Sequence, residues 1–308
     1  MLTAHEDTAM SDVSRSHRRH HEYTYRLPTP PRIVVPPPTL TAEMPELNVS
    51  SGRENFEEDL DTSFLKELNL ESIIQKNTLM EWAYERRRQA QMILPWLYLG
   101  PLTAAKDQAF LTREGITMIL AVRSRGSSMS RALQIGREIC GEIGAIEASD
   151  YFTLIGNFSR ATRMINQHIA KVRKATSTTD NPRLGKVLVF CESGNEKSAA
   201  VVAAYLMEMM DNFDHIKAMQ VCQAQRFCVN FDDTIKNTLR SHWDILTARR
   251  GVAISASQQQ TQPASSLKPK RLIDETMSDD EFGMDDSLDP SDVLRFNGRA
   301  NTPFQDTA

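Results

Sequence analysis

Val187-Leu188-Val189-Phe190-Cys191-Glu192-Ser193-Gly194-Asn195-Glu196-Lys197-Ser198 is the stretch whose reading decides this chain. An apolar run ends at a cysteine, as a strand buried on both faces should. A polar loop with a glycine at its centre follows. The segment from Ser198 to Met210 is then apolar nearly all round, which predicts a central helix. Strand, tight loop and helix start aim successive backbone N–H groups and the positive helix end into one concavity, an anion site. Cys191 stands at its base, in a field that favours a thiolate. Gly194 lets the loop close around a tetrahedral oxyanion, and the Ser198 hydroxyl is placed to bond the Cys191 sulfur.

The flanking sequence supplies the rest of an α/β domain. Trp96–Leu99 alternates as a strand and ends at Gly100-Pro101. Gly115 precedes a second, almost wholly apolar strand, Met118–Val122, and Gly185 leads into the third, Lys186–Phe190. Phe158, Ala161, Ile165, Ile169 and Val172 recur at helical spacing and predict a helix over 158–173. Ser177–Pro182 reads as a loop. Asp214 and Asp232 are N-cap candidates for two more helices, the last with Ile235, Leu239, Trp243 and Leu246 as its buried stripe. Strands alternating with helices indicate a sheet covered by helices.

Composition confines that domain to the middle of the 308 residues. Seven prolines fall between Pro28 and Pro45, and Gln, Ser, Thr and Asp dominate from Ser255 onward. Such stretches bury too little apolar surface to offset the entropy of ordering them. The expected organisation is a mostly disordered Pro-rich extension at 1–78, a folded domain at 79–250 and a disordered acidic tail at 251–308. Phe64, Leu65, Leu68 and Ile73 suggest one amphipathic helix within the first of these. A net charge of -4 gives no broad field for nucleic acid. The longest apolar run, Ala199 to Met207, is too short for a membrane span, and no secretory signal is read at the N-terminus. Four cysteines without close pairing read as thiols of the cytoplasm or nucleus, with neither a zinc site nor a cofactor expected.

The loop resembles the signature of the cysteine-dependent protein tyrosine and dual-specificity phosphatases. There a His-Cys pair is followed, after five residues, by Arg and then Ser or Thr. Glu81-Trp82 through Arg88, Ile93-Leu94-Pro95-Trp96-Leu97-Tyr98-Leu99-Gly100-Pro101, Arg226-Phe227-Cys228-Val229-Asn230 and the tail fragment Asp279-Asp280-Glu281-Phe282-Gly283 are similar to serine/threonine/tyrosine-interacting (STYX) pseudophosphatases. The resemblance covers about 80–250 and that fragment. It implies a cysteine-phosphatase fold, dual-specificity phosphatase-like, with a central mixed sheet flanked by helices. It also implies a phosphate-binding loop from Cys191 through Glu192, Ser193, Gly194, Asn195, Glu196 and Lys197 to Ser198. Cys191 would be the vestigial or weak nucleophile, Lys197 would stand at the Arg position, and Asp150 is the candidate general acid or else a plain surface aspartate.

The departures point away from turnover. Phe190 stands where the family has His, and Lys197 replaces a bidentate guanidinium by a point charge. Glu192 and Glu196 leave the loop's side chains net negative. Losing an electrostatic donor of this kind costs about 10²–10⁵ in rate. The expectation is a catalytically impaired, protein-binding module, with phosphorylated or signalling partners such as MAP kinases or F-box proteins implied by the resemblance. A weakly active dual-specificity phosphatase using Cys191 is the alternative; a rhodanese-like sulfurtransferase fits the flanking segments less well. Thr29-Pro30 and Ser278, followed by Asp279-Asp280-Glu281, are candidate phosphorylation sites. Lys268-Pro269-Lys270-Arg271 is a basic island that could serve as a nuclear signal.

Overall fold

A computed structural model describes residues 32–36, 45–50, 62–70, 73, 82–124, 129–179 and 182–260 of the chain. Its core is a five-stranded sheet in the order β1-β2-β5-β3-β4. The strands are β1 (Gln91–Leu94), β2 (Leu97–Pro101), β3 (Met118–Arg123), β4 (Glu142–Glu147) and β5 (Val187–Cys191). Only β1 runs antiparallel to its neighbour, so the sheet is mixed, as the resemblance implied.

Strand alternation sorts the side chains into two layers. Val187, Val189 and Cys191 face one cluster together with Met118, Leu120 and Val122. Leu188 and Phe190 face the other with Ile119 and Ala121. The first layer is covered by α4 (Phe158–Ala175), α5 (Lys197–Met209) and α6 (His215–Gln225). The second is covered by α1 (Gln108–Glu114) and α2 (Ser130–Ile139). Every residue of α5 from Ser198 to Met207 is buried, which explains its lack of a polar face. Asp214 caps α6 by accepting from Lys217 N at 2.8 Å. Asp232 caps the last helix, α7 (Asp233–Gln260), by accepting from Ile235 N at 2.7 Å.

Several boundaries differ from the sequence reading. β2 continues through Gly100 and Pro101, because parallel pairing with Phe190 and Cys191 holds those residues in the sheet. Where the apolar positions from Phe64 to Ile73 suggested an amphipathic helix, Ser63–Glu67 is a 3-10 turn and 68–70 are not helical; 71–72 lie outside the described residues. Leu65 is fully buried there, so the segment docks on the core. Within the Pro-rich extension, residues 45–50 also lie against the domain. Val49 forms an antiparallel bridge with Met210, Ser50 N donates to Met209 O at 2.8 Å, and Leu47 is buried. Positions 251–260, assigned to the tail by composition, continue α7. Strands β1 and β4, helices α1 and α2, and the short α3 (Tyr151–Ile155) were not read from the sequence. The chain divides into two units, residues 1–255 and 256–308; of the second, only the helical residues 256–260 are described. Thr29-Pro30, the basic island at 268–271 and Ser278 lie outside the described residues.

Candidate functional site at the Cys191 loop

Cys191 closes β5 beside Pro101 and is buried. Its sulfur accepts from Gly194 N at 3.2 Å and from the Ser198 hydroxyl at 3.0 Å, with Ser193 Oγ at 3.9 Å. Gly194 is required twice over. Its φ is +73°, and a Cβ there would stand 2.4 Å from Gly100 C and 2.6 Å from Gly100 O. The loop therefore packs backbone to backbone against the end of β2, where Leu102 N also donates to Glu192 O at 3.3 Å.

The other side of the loop is held by Arg226, which is fully buried in the segment between α6 and α7. Nε donates to Gly194 O at 3.0 Å, and Nη2 to Ser193 O at 3.3 Å and Asn195 Oδ1 at 3.0 Å. The same guanidinium reaches Arg87 O and Gln89 O at 2.8 Å each, and Gln91 Oε1. Cys228 Sγ donates to Asn195 Oδ1 at 3.2 Å, and Asn230 N to Asn195 O at 2.9 Å. Burial pulls the Arg226 guanidinium below its ordinary range. The sequence reading noted this segment only as a resemblance and gave Arg226 no role. An arginine in a short linker between apolar helices was the available signal.

Lys197 is half-buried, at the edge of the sheet where the parallel strands β3, β4 and β5 all end. Its ammonium donates to Ser124 Oγ at 2.6 Å and to Ala148 O at 2.8 Å. It thus ties the end of β3 and the end of β4 to the start of α5. Two of its three donors are engaged there. Asp150 is exposed and caps α3 through a capping box with Thr153. Its Oδ1 accepts from Thr153 N at 2.7 Å and from Thr153 Oγ1 at 3.1 Å. Those hydrogen bonds, with a smaller contribution from Lys197, hold its carboxyl below the usual carboxylate range. An acid that must deliver a proton needs the opposite shift.

Phe190 is fully buried in the layer behind the sheet, among Tyr98, Leu188 and Ala121, on the face away from the sulfur. Glu192 and Glu196 are exposed at the rim. Tyr151 is half-buried nearby; burial first, then the charges of Asp232, Glu196 and Cys191, pushes its phenol up. Phe152 beside it is 90% exposed. The structure therefore gathers Cys191, Ser193, Gly194 and Ser198 around the sulfur. Neither the Lys197 ammonium nor the Asp150 carboxylate hydrogen-bonds that sulfur; each takes the partners given above.

No family model matches the chain. A Xenopus laevis protein, serine/threonine/tyrosine-interacting protein A, is 26% identical over 218 residues, 68% of this chain and 89% of the relative. The Homo sapiens serine/threonine/tyrosine-interacting protein is 28% identical over 179 residues, 56% of this chain and 73% of its own length. Human dual specificity protein phosphatase 13B is 32% identical over 141 residues, 45% of this chain and 65% of that protein. Among solved structures, the human tyrosine phosphatase-like serine/threonine/tyrosine-interacting protein matches at 25% identity with a TM-score of 0.42, covering 52% of this chain and 99% of that one. A mixed sheet, a cysteine loop at its centre and relatives of that length agree: the chain is a homologue of the serine/threonine/tyrosine-interacting proteins and carries a dual-specificity phosphatase-like domain.

Proposed function

We propose that the chain is a catalytically impaired phosphatase-fold protein that acts by binding other proteins. The observation that carries this reading is the position of the Lys197 ammonium, bound to Ser124 Oγ and Ala148 O. Phosphoryl transfer asks little covalent chemistry of the protein; it depends on positioning and on charge aimed at the equatorial oxygens. Here the nucleophile and its two donors remain, while the cation serves as a structural tie. Asp150, ionised and engaged at a helix start, adds no ready proton. Each missing electrostatic group costs about 10²–10³ in turnover.

The partners that suit this reading are phosphorylated or signalling proteins. The family resemblance suggests MAP kinases or F-box proteins. Cytoplasm and nucleus are compartments suited to a chain whose four cysteines are all thiols. A second reading, a weakly active dual-specificity phosphatase, is favoured by one feature. Gly194 N and Ser198 Oγ both end on the Cys191 sulfur, an arrangement that also serves a nucleophile.

Hydrolysis of an aryl phosphate by the purified chain, with Cys191→Ser as background, separates the two. A rate equal to the background, together with partner capture that survives Cys191→Ser, is the expected result. Phosphotyrosine hydrolysis that Cys191→Ser abolishes, along with the biological effect, would establish the enzyme instead.

A further inference from the structure

A run of three arginines, Arg86-Arg87-Arg88, takes no part in the chemistry of the Cys191 loop. It stands on the 3-10 turn Tyr84–Arg88, just before the edge strand β1. Beside that turn lies a cavity of about 650 Å³, reaching across β1 to α1. Arg86, Arg88 and Arg113 line it, with Met92 and Phe110 as apolar surface. Its two carboxylates already have partners. Asp107 Oδ1 accepts from Phe110 N at 3.0 Å. Glu114 accepts from Arg113 Nε at 3.1 Å and from the Tyr98 hydroxyl at 3.2 Å. Among the described residues, three guanidiniums against two carboxylates leave the lining net positive.

Exposed aromatic surface adjoins the cavity. The Arg87 guanidinium lies 4.0 Å from the ring centre of Tyr84, which is 66% exposed. Arg86 lies 6.0 Å from the ring centre of Trp82, and that ring is 6.2 Å from Phe227, which is 55% exposed. Apolar surface of this kind, beside arginine side chains, matches a ligand that carries carboxylates and an apolar side chain together.

We propose that this groove docks an acidic peptide segment of a partner protein, its carboxylates on Arg86 and Arg88 and one aromatic side chain against Met92 and Phe110. Guanidinium forks pair with carboxylates in two-point geometry. Nucleic acid fits less well, because its evenly spaced phosphates would run past Asp107 and Glu114, whereas a peptide's few carboxylates can be confined to Arg86 and Arg88. The inference rests on the protein-binding reading only in making the ligand a protein; it is independent of any chemistry at Cys191.

The test is a titration of the full chain into a fluorescent peptide of glutamates flanking one phenylalanine, read by anisotropy. Saturable binding is expected, weakening as salt rises and falling about tenfold or more in the Arg86→Glu, Arg88→Glu double variant. Arg160→Glu, an exposed site on α4, is the control and should change affinity less than about twofold. A melting curve matching the parent's shows that the double variant is folded, and replacing the peptide's phenylalanine by alanine weakens binding without altering the protein. Equal binding of a glutamine version of the peptide overturns the proposal. So does displacement of the peptide by an equimolar single-stranded oligonucleotide. No peptide binding while partner capture persists removes the groove and leaves the protein-binding reading standing; loss of capture as well removes both.

Discussion

The Cys191 loop and the Tyr84–Arg88 groove are two regions joined by one buried side chain, and they differ in what their cations do. At the loop, Gly194 N and Ser198 Oγ converge on the Cys191 sulfur, while the cation is tied to Ser124 and Ala148 and the rim is acidic. At the groove, guanidiniums are displayed beside aromatic rings. Arg226 spans the two, binding Ser193 O and Gly194 O on one side and Arg87 O and Gln89 O on the other. The contrast shows that the shape of such a loop and its charge are separable. Its shape depends on Gly194 against Gly100 and on Arg226. Neither contact uses the side chains of residues 190 or 197, so those could change without dismantling the loop.

Removing Arg226 should break the comparison most severely. Arg226→Ala strips hydrogen bonds from several partly buried carbonyls at once, at an expected cost of about 3–5 kcal/mol, which urea unfolding will measure. Arg226→Lys keeps the charge but cannot reach both sides, so it should recover little of the loss. Near-parent stability in both variants would mean that loop and groove are shaped independently.

Next in size is the restoration of charge. Phe190→His with Lys197→Arg should raise aryl phosphate hydrolysis by about 10²-fold, and the gain should vanish with Cys191→Ser. Phe190 is fully buried in an apolar layer, so the histidine carries its own cost, about 1–3 kcal/mol for an unpaired polar group. Lys197→Arg alone should therefore be assayed beside the double variant. No gain in either would show that the loop lacks more than charge.

A smaller effect is expected at the thiol. With the ammonium held by Ser124 and Ala148 and the sulfur buried, Cys191 should react with iodoacetamide at neutral pH no faster than an unactivated free thiol. Alkylation orders of magnitude faster would favour the enzyme reading. The smallest effect concerns Asp150. Asp150→Asn should leave any residual hydrolysis within about twofold, where loss of a working general acid costs about 10²–10⁴. A fall of that larger size would restore Asp150 to the reaction.

The local signals were legible where the residues themselves impose structure. An apolar strand, a glycine able to take positive φ and a helix without a polar face announced β5, the loop and α5, and aspartate caps marked α6 and α7. Edge strand β4 was missed because Glu142, Gly144 and Glu147 dilute its apolar pattern. Helix α1 carried both its signals, the Asp107 cap and Gly115 at φ +68°, yet its short apolar pattern did not stand out. The extent of β2 was misread because Gly and Pro usually end strands, whereas pairing with β5 holds them in this one.

By itself, the sequence determined the fold class, the loop and the two departures at Phe190 and Lys197, because residue identity and short-range backbone preference suffice for those. Only the tertiary structure decided where the charges go. Lys197 reaches Ser124 and Ala148, Asp150 turns to its own helix, and Arg226 gathers carbonyls from segments more than a hundred residues apart in the chain. A long flexible side chain takes whichever acceptor the packed neighbours offer, and no local pattern of residues encodes those neighbours.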